Sequence, residues 1–174
     1  MPRQLQHVPY GYEPPAERQK GTLVYYDTFE HTTETELETA ALVAQKRAFA
    51  KLVLYPLHEE TVRRMFKEPV SSLYKREDRL HDWKRHSGRH HVMVENLEGK
   101  RKKYTPVDSA LRHLEEKYES PLFLYVTPEM ANAIASYSTF EEWIKKIRLL
   151  IIPPFETLHP RLEAYSHRWS WSDV

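Results

Sequence analysis

The sequence predicts an α/β protein built on a doubly wound parallel sheet. Three observations lead there. Short runs of β-branched and aromatic residues alternate with segments of helical periodicity along most of the chain. The first two such runs flank one amphipathic helix within about 35 residues, which makes a βαβ unit with a right-handed crossover. A length of 174 residues suits a single domain and is enough to bury a real core.

Residues 1–20 are polar, carry four of the twelve prolines and have no period, so they read as an irregular arm. Thr22-Leu-Val-Tyr-Tyr26 is a buried strand. After it, Glu36 to Arg47 places Leu37, Ala40, Ala41 and Ala44 on one helical face, with Thr32, Thr33 and Thr35 as candidate N-caps and glutamates favouring the first turn. Lys51-Leu-Val-Leu-Tyr55 is the second strand and stops at Pro56. Glu59 to Lys67 and Lys75 to Lys84 read as helices separated by Pro69 and two serines, and His91 to Val94 is a short strand. Thr105-Pro106-Val107-Asp108 has the form of a helix start, with Thr105 as cap, and that helix runs to about Tyr118. Pro121 to Val126 is a strand, Phe140 to Ile147 a helix, and Leu149 to Ile152 a strand closed by Pro153-Pro154. No internal repeat is present.

Composition removes several function classes. The 26 Lys+Arg against 25 Asp+Glu leave a formal charge of +1, which gives no argument for nucleic acid or an anionic membrane. No apolar run reaches the roughly 18 residues of a membrane span, and the N-terminus has no apolar signal region, so a cytoplasmic protein is expected. With no cysteine there are no disulfides, thiolate nucleophiles or zinc–thiolate sites. Only four glycines are present, and neither GxGxxG nor GxxxxGK[ST] occurs, which leaves dinucleotide-fingerprint and P-loop chemistry without support.

In doubly wound sheets ligands bind beyond the carboxyl ends of the strands. That rule alone nominates Asp27 to His31, Pro56 to His58 and Thr127 to Glu129.

Several segments then follow a known order: DTFEHTTETEL after the first strand, KLVLYP, EDRLHDW at Glu77 to Trp83, KYTPVDSAL at Lys103 to Leu111, FLYVTPEM at Phe123 to Met130, Tyr137, and Phe140-Glu-Glu-Trp-Ile144 before Arg148 to Pro153. This succession resembles the nicotinate-mononucleotide adenylyltransferases, whose motifs run GGTFDPxHxGH, a strand ending in proline, an H-R-L-like run, SYTxDTL, GxDM, a tryptophan and an EEL helix. The resemblance covers residues 21 to 153 and implies a Rossmann-like nucleotidyltransferase fold, with residues 154–174 as a C-terminal tail. It implies a nucleotide ligand, with ATP and Mg²⁺ as the family's co-substrate and ion, and a nucleotide-binding set of Thr28, Phe29, Arg79, Thr105, Thr127, Glu129 and Tyr137.

The departures bear on activity. Aligned on Thr28-Phe29, the family's paired glycines become Tyr26 and Asp27, its Asp-Pro becomes Glu30-His31, and its HxGH becomes Thr33-Glu34-Thr35-Glu36. Phosphoryl and nucleotidyl transfer depends on cationic or N–H stabilisation of developing negative charge, and carboxylates oppose it. GxD becomes Thr127-Pro128-Glu129, and the family's late ISSTxxR segment has only a faint echo at Tyr165 to Arg168. The expectation is a catalytically degenerate relative with no intact catalytic set, His31 being the one histidine near the loop. An active enzyme with atypical residues and a non-enzymatic interaction domain are the alternatives.

Other clusters have plain readings. Glu30, Glu34 and Glu36 either recruit a metal or decorate a helix N-terminus. His81 to His91 is rich in histidine and basic residues but lacks the spacing of a zinc site. Lys100 to Lys103 is a basic patch able to meet an anion or simply to be solvated. Trp169 and Trp171 near the C-terminus either offer a surface to a protein partner or pack back onto the domain.

Overall fold

The computed structural model describes residues 19–154 and 156–172, so most of the 1–20 arm lies outside the described residues. Six strands form one parallel sheet: β1 (Thr22–Asp27), β2 (Lys51–Pro56), β3 (Val92–Val94), β4 (Leu122–Val126), β5 (Arg148–Ile151) and β6 (Trp169–Trp171). Their order is β3-β2-β1-β4-β5-β6. The helices are α1 (Glu34–Lys46), α2 (Glu59–Phe66), α3 (Leu73–Ser87), α4 (Leu97–Arg101), α5 (Val107–Lys117), α6 (Pro128–Ala135), α7 (Phe140–Trp143) and α8 (Pro160–Ala164). The doubly wound parallel sheet expected from the sequence is what the chain forms.

Alternation along each strand sorts its side chains into two cores. Leu23, Tyr25, Leu52 and Leu54 pack with Leu37, Ala40, Ala44, Leu80 and Trp83, which puts α1 and α3 on one face. Val24, Tyr26, Val53, Tyr55, Leu122 and Leu124 pack on the other face with residues of α2, α5, α6, α7 and α8. Both sheet edges are three-residue strands, which limits edge-to-edge pairing.

Several local expectations change. Thr105 does not cap α5. Pro106 is the N-cap residue, Thr105 is fully buried with its N–H donating to Thr61 Oγ1 at 2.9 Å, and the Asp108 carboxylate accepts from Trp143 Nε1 at 2.7 Å. A tertiary partner thus outcompetes the capping turn. Helix α6 was not expected, although Thr127 caps it through Met130 N at 3.1 Å and Pro128 opens it. The described residues of the expected tail are not beyond the sheet: Pro160–Ala164 forms α8 and Trp169–Trp171 the edge strand β6. Trp169 and Trp171 are half-buried against the core, and Trp169 Nε1 donates to Leu162 O at 2.7 Å. Among the described residues no helix is long and apolar enough to cross a membrane.

Leu124 is fully buried in the middle of β4, whereas Leu42 on α1 is 45 % exposed. Leu124→Ala is expected to cost about 3 kcal/mol, a fall of roughly 6–12 °C in Tm. Leu42→Ala is expected to stay within about 0.5 kcal/mol. Thermal unfolding of the two variants side by side checks the assignment of core and surface.

Candidate functional site

The sheet reverses its winding between β1 and β4, and a crevice opens there at the carboxyl ends of the strands. A cleft of about 450 Å³ occupies it. One wall is apolar, made by Val62 and Phe66 of α2, Val70 of the following loop and Met130 of α6. The other wall is the loop from β1 to α1, with Asp27, Thr28, Glu30, His31 and Thr32, and Glu36 of α1. Thr127 and Glu129 close the β4 side, and Glu68 stands at the α2–α3 loop.

Side chains of the β1–α1 loop take up part of its backbone. Asp27 Oδ1 accepts from Thr28 N at 2.6 Å, and Thr28 Oγ1 accepts from Glu30 N at 3.1 Å. Thr33 and Glu36 form a reciprocal capping box: Glu36 N donates to Thr33 Oγ1 at 3.1 Å, and Thr33 N donates to Glu36 Oε1 at 2.9 Å. Burial pushes the Asp27 carboxyl up to about 6, against the opposing pull of backbone hydrogen bonds from Thr28 and Phe29. Glu30 is held below the ordinary carboxylate range by Ser71, whose Oγ and N donate to it at 2.5 and 2.9 Å.

One cation builds this end of the sheet from beneath. Arg76 of α3 is fully buried. Its Nη1 donates to Thr28 O at 2.7 Å and to Leu57 O at 2.5 Å, and its Nε donates to Ser71 O at 3.0 Å. Glu59 lies 3.6 Å from Nη2. The loops after β1 and β2 and the α2–α3 loop are therefore tied to one guanidinium.

Of the residues nominated from sequence, Thr28, His31, Thr127 and Glu129 come together in the cleft. Four others do not. Phe29 takes a left-handed conformation, φ 61°, and turns its ring into the α1/α3 core against Tyr25. Arg79 donates to Phe29 O at 3.0 Å and Glu30 O at 3.3 Å and lines a separate hollow floored by Phe29, Leu37, Leu80 and Trp83. Thr105 is fully buried on the far side of α2. Tyr137 packs half-buried on the α2/α5/α6 core, outside the cleft lining. Sequence reasoning missed Arg76 and Ser71. A signal for Arg76 existed in its position among the apolar residues of α3, between Leu73 and Leu80 on the inward face. Among the described residues no group of three or more His, Asp or Glu side chains is poised to hold a metal ion. A divalent ion would thus depend on ligand phosphates for most of its coordination.

The strand order and the switch-point crevice are those of a Rossmann-like α/β fold. Two solved structures carry the likeness. The Plasmodium falciparum nicotinic acid mononucleotide adenylyltransferase complexed with NaAD superposes with a TM-score of 0.68 at 12% identity, over 89% of this chain and 75% of that one. A putative nicotinate-nucleotide adenylyltransferase from Vibrio parahaemolyticus gives 0.53 at 13% identity, over 84% and 85%. At that identity the likeness is one of fold. No family model matches the chain, and no curated protein matches it in sequence.

Two outcomes follow from this geometry. Arg76→Met leaves three carbonyls unpaired in the interior and is expected to cost about 3–5 kcal/mol in urea unfolding. Arg76→Lys recovers only part, because an ammonium cannot reproduce the planar fork. For Asp27 the sign is fixed by its raised pKa. Below about pH 4 its carboxyl is protonated in folded and unfolded chains alike, and above about pH 6 it is ionised in both. Between these values the folded protein keeps a proton the unfolded chain has released, so stability falls as pH rises. Asp27→Asn removes that cost. The variant is expected to exceed the native chain by about 1–2 kcal/mol at pH 7, roughly 2–8 °C in Tm, and to match it near pH 4. An equal difference at both pH values would refute burial as the cause.

Proposed function

We propose that this chain is a catalytically degenerate nucleotidyltransferase-like protein that binds a nucleotide in the switch-point cleft without transferring an adenylyl group. The observation that carries the reading is the acidic lining of the cleft, beside a β1–α1 loop whose own side chains take several of its N–H groups. Backbone N–H groups at a strand-to-helix turn normally cradle phosphate. Here the N–H of Thr28 goes to Asp27, and those of Thr33 and Glu36 are consumed by the capping box. A triphosphate would also face Asp27, Glu30, Glu36, Glu68 and Glu129 with no lysine or arginine among the described lining residues. Each like-charge pair at about 5 Å costs about 3 kcal/mol at an effective dielectric of 20. The apolar wall of Val62, Phe66, Val70 and Met130 is unaffected by that repulsion and suits a base or a pyridine ring. The solved neighbour complexed with NaAD supports a nucleotide as ligand class.

A thermal-shift series with nicotinate mononucleotide, NAD, NaAD and ATP, with and without Mg²⁺, tests the binding half. Ligands with one or two phosphates are expected to raise Tm by several degrees at about 100 times Kd, and ATP to give no shift. Pyrophosphate release from ATP and nicotinate mononucleotide tests the catalytic half, with none expected. Turnover abolished by Asp27→Ala would overturn degeneracy, and a flat response to every nucleotide would overturn binding.

A further inference from the structure

The near balance of charge over the whole chain conceals a separation imposed by the fold. Carboxylates gather at the switch-point cleft on one side of α2. Cations gather on its other side. The end of α4 and the loop to α5 carry Lys100-Arg101-Lys102-Lys103, with the three lysines exposed. Helix α2 is clamped to this run by two contacts. The Arg64 guanidinium carbon lies 4.3 Å from the centre of the Tyr104 ring, and Thr105 N donates to Thr61 Oγ1 at 2.9 Å. Arg64 thereby joins the run in space although it lies far from it in sequence. Arg101 Nη2 donates to Tyr104 O at 3.4 Å, while its Nε is buried without a hydrogen-bond partner.

The carboxylates beside this run, Glu77 against Gly99 and Glu98 on α4, lie beneath it and leave the three lysines exposed. Glu60 is paired with Arg63, and Glu98 is buried and already taken by Tyr55 Oη and His58 N, both at 2.7 Å. Two aromatic rings belong to the same surface. Tyr104 is half-buried with one ring face covered by the Arg64 guanidinium, and Tyr137 is half-buried on the α2/α5/α6 core. Lysines in a loop are ordinarily just solvated. That reading does not account for a basic run joined by a distant arginine around two partly open tyrosine rings.

We infer that the surface formed by α2 and the α4–α5 loop binds single-stranded nucleic acid, with Lys100, Lys102 and Lys103 on backbone phosphates and Tyr104 and Tyr137 as stacking faces for unpaired bases. Such binders pair a cationic track with aromatic platforms. A duplex keeps its base faces stacked and cannot use the tyrosines. A lipid surface would want exposed apolar side chains, and the large ones among the described residues, Leu42 and Tyr74, lie on α1 and α3 instead.

The test is fluorescence anisotropy of the full chain with a labelled RNA of about 12 nucleotides. With three phosphates neutralised by the three lysines, affinity is expected to fall about 20-fold between 50 and 200 mM salt. Lys100→Glu with Lys103→Glu, both exposed, is expected to weaken binding at least tenfold with the circular dichroism spectrum unchanged. Tyr104→Leu is expected to weaken RNA binding roughly fivefold or more, and to leave binding of inorganic polyphosphate unchanged. Four results would overturn the inference: no RNA binding at low salt, an unaffected double-lysine variant, an unaffected Tyr104→Leu variant, or capture of anionic vesicles in place of RNA. None of these readouts involves the cleft or adenylyl transfer, so either proposal can fail without the other.

Discussion

The guanidinium of Arg76 has no contact with solvent, and a cation in that position persists only because fixed oxygens face it. Those oxygens are the carbonyls of Thr28, Leu57 and Ser71, one from each of three loops at the carboxyl end of the sheet, with Glu59 behind them. The cleft exists in its observed shape because this arrangement admits few alternatives. Moving any one loop outward would strip a partner from a buried charge. The left-handed Phe29 is held in the same way, with Arg79 on its carbonyl and its ring sunk beside Tyr25.

On that rigid base the β1–α1 loop has been closed upon itself. Asp27 and Glu36 perform for the backbone the service that a bound anion performs at many helix N-termini. The result is a cleft with one wall rich in carboxylates and the other apolar. Tyr26 strengthens the exchange. It stacks on Tyr55 with centroids 5.0 Å apart and fills the α2/α5 core where a glycine would leave space.

The same fold holds acids and bases apart. Helix α2 is the divider, presenting Val62 and Phe66 to the acidic cleft and Arg64 to the basic α4–α5 loop. A further carboxylate, Glu95 at the end of β3, is buried and taken up by Tyr118, Lys117 and His113 of the α5 end at 2.6, 2.9 and 3.1 Å, which anchors α5 beside the short edge strand.

What the sequence by itself determined is whatever rests on neighbours along the chain. The strands were legible because apolar runs such as Leu23 to Tyr26 and Leu52 to Tyr55 need no distant information to be recognised. The N-terminus of α1 was legible because a Thr33–Glu36 capping box is closed within four residues. The loop beyond β1 was nominated from its place at a strand end, and it lines the cleft. Contacts between distant segments were decided only by tertiary structure. Asp108 looked like a capping acid and became the partner of Trp143, 35 positions away. Trp169 looked like a tail residue and became part of an edge strand, because β5 had an unpaired side to offer. Arg79 looked like a phosphate ligand and was drawn to the carbonyls of Phe29 and Glu30. The physical reason is common to all three. A polar or aromatic group takes the best partner that packing brings within reach, and sequence spacing does not encode that distance.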